Sequence, residues 1–111
     1  MIAYTFQTTS TALAKFALAL HQRKGLRKET YEEMLTIQST RSDGTHWGLG
    51  VRIEDTPSGV SYGHSGSTSR GFISNLVFYD ESGLGYVILT NCQMGGWLSL
   101  PLLNEYLILG N

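Results

Sequence analysis

Between Thr9 and Gln22 the apolar residues Leu13, Phe16, Ala17 and Leu20 recur at the three- and four-residue spacing of one helical face. Thr9 or Ser10 can cap the start and Gly25 can end the run, so the pattern predicts an amphipathic helix. The segment "KETYEEMLT" predicts a shorter second helix. Its first turns are acidic, where the helix dipole favours negative charge, and Tyr31, Met34 and Leu35 give it one apolar side. "STRSDGTH" then breaks the helical pattern and reads as a linker.

Beyond it the period changes. "WGLGVRIE", "GVSYGHS", "FISNLVFYD" and "LGYVILTN" read as strands, separated by "DTPSG", a glycine-rich stretch and "ESG". Connections this short, with Asp80 to Gly83 as a hairpin loop, predict an antiparallel meander. The last two strands are apolar on both faces, which predicts central strands covered on both sides. In "SLPLLNEYLILG", Pro101 suits a first helical turn and Leu102, Leu103, Tyr106 and Leu107 form an apolar face. The expected fold is therefore α+β: an antiparallel sheet of about four strands flanked by helices. Residues 1–111 form one domain, with a helical segment at 8–36, the sheet at 46–92 and a C-terminal helix at 97–110.

Composition narrows the partners. With 111 residues the chain can bury one core and no more. A formal charge of -1 offers no basic stripe, so neither nucleic acid nor an anionic membrane surface is an expected partner. The single cysteine, Cys92, leaves no intrachain disulfide. The apolar run from Ala12 to Leu20 is interrupted by Lys15 and has no basic flank before it, and the closing apolar run is too short and polar to span a bilayer. The expectation is a soluble chain with no membrane span and no signal peptide, although a full-length parent could be exported. His21, His46, His64 and Cys92 fall at no metal-ligand spacing, and neither phosphate-cradling glycine motif occurs, so no metal and no cofactor is expected.

The remaining candidate chemistry lies in "SYGHSGSTSRGF", Ser61 to Phe72. "GHSGS" resembles the elbow that presents a nucleophilic serine between a strand and a helix, but a strand pattern follows it and no histidine lies downstream of His64. Ser65 is therefore rejected as that kind of nucleophile. The plain alternative is a polar loop in which Gly63, Gly66 and Gly71 supply unusual dihedrals or close backbone approach. Against it stands placement: His64, Ser65 and Gly66 close a strand, where exposed backbone can bond a ligand.

The linked run "WGLGVRIE … YGHSGSTSRGFISNLVFYDESGLGYVILTN", preceded by "TTSTALAKFALALHQRKGLRKETYEEMLT", resembles the C-terminal part of the serine beta-lactamase-like hydrolases. These include class C beta-lactamases, D-alanyl-D-alanine peptidases and related esterases. The resemblance implies that His64, Ser65 and Gly66 form the third family motif, His-x-Gly in place of Lys-Thr-Gly, on a strand bordering the active site. It implies that His64 orients a substrate carboxylate or the catalytic hydroxyl network, that Gly66 admits the substrate backbone, and that the Ser67 amide is one of two oxyanion-hole donors. The loop after Ser67 is one residue longer than the usual spacing to Gly-Phe.

The decisive departure is elsewhere. No serine in the chain is followed three residues on by lysine, and no tyrosine two residues on by asparagine, so the family's nucleophile, its base and the second oxyanion donor are missing. The expected function is that of a C-terminal segment of such a hydrolase, carrying one wall of the site and inactive alone. Its expected partners are an acyl or peptide-like small molecule and either an N-terminal portion or further copies of itself. The alternative is a self-standing noncatalytic binding or structural module, oligomeric because the absent remainder of the fold leaves apolar surface bare. Unaided ester hydrolysis through Ser65 or Ser67 with His64 is the weakest reading. Adjacent strand residues point to opposite faces, and Ser67 needs irregular backbone to reach His64.

Overall fold

The computed structural model describes residues 6–69 and 71–91. The first helix, α1 (Ser10–His21), starts at Thr9, whose side-chain hydroxyl accepts a hydrogen bond from the Ala12 amide at 3.1 Å. Its end differs from the expectation that Gly25 closes it. The Lys24 amide bonds the Ala19 carbonyl and the Arg23 amide bonds the Leu20 carbonyl, with Arg23 itself in the left-handed region at φ 56°. This is a Schellman closure with arginine where glycine is usual. The Arg23 guanidinium offsets part of the backbone cost. It donates to the carbonyls of Leu20 and His21 and to Asp80 Oδ2 at 2.9 Å, tying the helix end to the sheet.

Helix α2 (Lys28–Met34) has Glu29 in its first turn and buries Tyr31, whose phenol donates to the Lys24 carbonyl. The end of α2 is fastened to the sheet by the Leu49 amide, which donates to the Met34 carbonyl at 3.0 Å. Gly48 is needed at this contact, because a Cβ there would overlap the Met34 carbonyl oxygen.

The sheet has six strands among the described residues: β1 (Ser39–Thr40), β2 (His46–Trp47), β3 (Arg52–Thr56), β4 (Gly59–Ser67), β5 (Ile73–Tyr79) and β6 (Gly85–Thr90). They follow one another in chain order, every neighbouring pair antiparallel. The antiparallel α+β meander is as expected, but the strand count is higher for two local reasons. "STRSDGTH" is a hairpin in its own right: the Asp43 carboxylate accepts from the Thr45 amide at 2.9 Å, and Gly44 takes φ 87° between β1 and β2. "WGLGVRIE" is not one strand but two, because Gly50 at φ 75° turns the chain and the Gly48 amide bonds the Val51 carbonyl at 2.8 Å. Strand β5 is interior, whereas β6 closes the sheet among the described residues. The C-terminal helix expected at 97–110 lies outside the described residues.

Side chains on the two faces of β5 pack differently. Phe78 is buried against Tyr62 of β4, with ring centroids 5.5 Å apart, and against His21 of α1 at 6.1 Å, so α1 covers this face. Val77, Tyr79 and Tyr86 cluster on the opposite face. Burying each such side chain stabilises the fold by about 1.5–3 kcal/mol. No described helix is long and apolar enough to cross a membrane.

Candidate functional site

Strand β4 changes character along its length. Ser61 and Gly63 are buried in the sheet, whereas His64, Ser65, Gly66 and Ser67 are exposed. Across to β5 and β6 the register lines up His64 with Leu76 and Val87, Ser65 with Asn75 and Ile88, and Gly66 with Ser74 and Leu89. Strand alternation therefore sets His64 and Gly66 on the face of Tyr62 and Phe78, the face α1 covers, and Ser65 on the other. A Cβ on Gly66 would stand 2.9 Å from Ser74 Oγ, so the bare glycine leaves room for the serine hydroxyl beside it.

Hydrogen-bond phase defines what this stretch offers. At one end the Asp80 amide bonds the Val60 carbonyl, and at the other the Thr68 amide bonds the Phe72 carbonyl. Antiparallel pairs alternate between bonded and non-bonded, so Val60, Tyr62, His64, Gly66 and Thr68 exchange backbone bonds with β5. The amides and carbonyls of Ser65 and Ser67 consequently point away from β5, toward the side of β3. But β3 begins at Arg52, opposite Gly63, so it does not extend alongside either serine. Among the described residues the result is a short open strand edge at Ser65 and Ser67 next to an exposed imidazole. Such an edge can pair with an extended acyl or peptide backbone or donate N–H groups to a developing oxyanion.

The loop that follows is built by Thr68. Its side chain accepts from the Phe72 amide at 3.2 Å, its carbonyl accepts from Gly71, and Gly71 takes φ 88°. Ser67 is thus the last regular residue of β4, opposite Ile73.

Two residues near His64 are not singled out by sequence reasoning. The indole of Trp47 meets the imidazole with centroids 5.5 Å apart and planes at 68°, an edge-to-face contact. The guanidinium of Arg41 lies over that indole, 4.7 Å from its centroid. Trp47 leads the segment read as a single strand, and Arg41 lies in the segment read as a linker. The Asp43–Gly44 pair, a hairpin signal, is the feature that brings both into place.

The other titratable groups have structural surroundings. Burial, and after it the Asp80 carboxylate, pushes the Tyr62 phenol up from its ordinary value. His21 Nδ1 lies 3.4 Å from Asp80 Oδ1 without forming a hydrogen bond, while His46 Nδ1 is 2.8 Å from Thr40 Oγ1. Among the described residues no three His, Cys, Asp or Glu side chains converge on a point that could hold a metal ion.

An α+β meander with two leading helices, carrying an exposed His-x-Gly stretch on an interior strand, defines the architectural class. The beta-lactamase family model matches residues 3–98, and the chain belongs to that family, the serine beta-lactamase-like hydrolases. No curated protein matches the chain.

Proposed function

We propose that the chain supplies one wall of a serine-hydrolase acyl-transfer site, with the nucleophile and its base provided by polypeptide outside these 111 residues. The observation that carries this reading is the open edge of β4: the amides of Ser65 and Ser67 are directed past the start of β3, beside the exposed His64. In this reading the acyl substrate lies along that edge. His64 bonds its carboxylate or the attacking hydroxyl, Gly66 allows close approach, and the Ser67 amide provides one of two oxyanion donors. One such donor without a nucleophile contributes little catalysis, so the chain alone binds weakly and does not turn over. Titration with an N-acyl-D-alanine peptide, followed by amide NMR, tests it. Shifts confined to His64–Ser67 and their β5 partners are expected; shifts confined to other parts of the sheet contradict the assignment.

A second reading, self-association through apolar surface, is favoured by exposed Phe16 and Leu18 on α1 and Phe72 beside the wall, each more than half exposed. Sedimentation at rising concentration separates the two: a wall segment that stays monomeric argues against the oligomeric module.

A further inference from the structure

We propose that Trp47 is the positioning residue for His64 and that Arg41 fixes Trp47 in turn. The functional meaning of this inference rests on the wall reading above, but its geometry does not.

His64 projects from the exposed part of β4, where an imidazole is ordinarily free to change rotamer. Its aromatic neighbour is anchored. Trp47 pairs with Ser39 on one side and Arg52 on the other, and its carbonyl accepts from the Gln38 amide at 2.8 Å. Its indole Nε1 is buried with no hydrogen-bond partner among the described residues, so packing and not a polar bond holds the ring. An edge-to-face contact favours the touching rotamer about two- to twelvefold over the others.

Arg41 completes the arrangement from the β1–β2 turn. Its carbonyl accepts from the Gly44 amide and its amide donates to the Thr45 carbonyl, so the backbone that carries it is fixed. Its guanidinium over the indole then makes a three-member stack, Arg41–Trp47–His64, running from the hairpin to the wall strand. A wall that must present one imidazole nitrogen to a substrate gains from a preset ring, because no rotamer entropy is lost on binding. Trp47 never touches the reacting atoms in this scheme; it acts through His64.

The test uses the full chain without substrate. The His64 ring protons are expected to be shifted upfield by the indole, and nuclear Overhauser effects are expected between the imidazole and indole ring protons. These cross-ring effects should vanish in both His64→Gln and Trp47→Ala and survive in His46→Gln, which removes the imidazole that precedes Trp47. Trp47→Phe should keep an upfield shift on His64, reduced in size, while Trp47→Ala should lose it with the β4–β5 amide dispersion intact. Arg41→Ala should reduce the shift by mobilising the indole. If Trp47→Ala does not fold, Trp47→Phe and Arg41→Ala still decide the matter. Absence of cross-ring effects between His64 and Trp47 in the parent chain, or His64 ring shifts unchanged in Arg41→Ala and Trp47→Phe, overturns the proposal. These readouts involve no ligand, so a failure of the stack and a failure of the wall reading register in separate experiments.

Discussion

Gly63 of β4 lies against the carbonyl oxygen of Leu76 in β5 so closely that a Cβ at position 63 would overlap it. The neighbour is backbone within the ladder that also fixes His64 opposite Leu76, so no side chain can yield to relieve the clash. Gly63→Ala is expected to cost about 2–3 kcal/mol of stability, read as a lower urea midpoint, with the strands forced apart. Loss of less than about 0.5 kcal/mol would mean that the two strands are not coiled this tightly.

Arg23 tests the closure of α1. In its left-handed conformation a Cβ is unfavourable, and the side chain compensates through Asp80 and two helix-end carbonyls. The ion pair is about one third exposed on each side, so it contributes at most about 1 kcal/mol. Arg23→Ala loses the side-chain bonds and keeps the unfavourable backbone, whereas Arg23→Gly relieves it. The alanine variant should be less stable than the glycine variant by about 1 kcal/mol in thermal or urea unfolding. Equal stability would contradict the left-handed assignment.

Alkaline pH tests the packing of the sheet face bearing Val77, Tyr79 and Tyr86. Burial pushes the Tyr86 phenol up from its ordinary value, with the neighbouring Tyr79 adding to the shift; burial and then Glu54 push Tyr79 up as well. An unfolded phenol releases its proton near pH 10, and the folded ones hold theirs longer. Between those two values the unfolded state binds fewer protons, so this stability is fully present below about pH 10 and is lost as pH rises through the folded pKa. Urea midpoints measured from pH 9 upward should fall less steeply in Tyr86→Phe than in the parent chain. Parallel slopes would place Tyr86 in contact with solvent.

The sequence made the meander legible because the strand periodicity and the Asp80–Gly83 loop act locally. The Tyr79 amide bonds the Leu84 carbonyl and Gly83, at φ 70°, closes the turn where the glycine predicts it. Helix α1 was legible through its Thr9 cap, but its end was not, since Arg23 adopts a conformation that only tertiary contact with Asp80 supports. The extra strands are hidden in the sequence for opposite reasons. Asp43–Gly44 is a hairpin signal that the polar composition around it masks, whereas the turn at Leu49–Gly50 interrupts a run that alternates well enough to pass for one strand. For the candidate site, the identity of His64, Ser65 and Gly66 can be read from the chain. Their orientation depends on the register with β5 and on where β3 begins, which are relations between strands. The Arg41–Trp47–His64 stack joins residues as far as 23 positions apart (64 − 41) and is invisible to any local pattern.

In the function we propose, the chain provides a wall and no nucleophile. Regular strand alternation sends the Ser65 and Ser67 side chains to the face opposite His64, and on that ground we expect neither hydroxyl to be activated by the imidazole. The direct test is intact-protein mass spectrometry after prolonged exposure to a fluorophosphonate and, separately, to a reactive beta-lactam. The predicted result is an unmodified mass in both, from a protein whose amide spectrum shows it folded. A stoichiometric adduct on Ser65 or Ser67 that is abolished by His64→Gln would contradict the claim and make this chain a nucleophile in its own right.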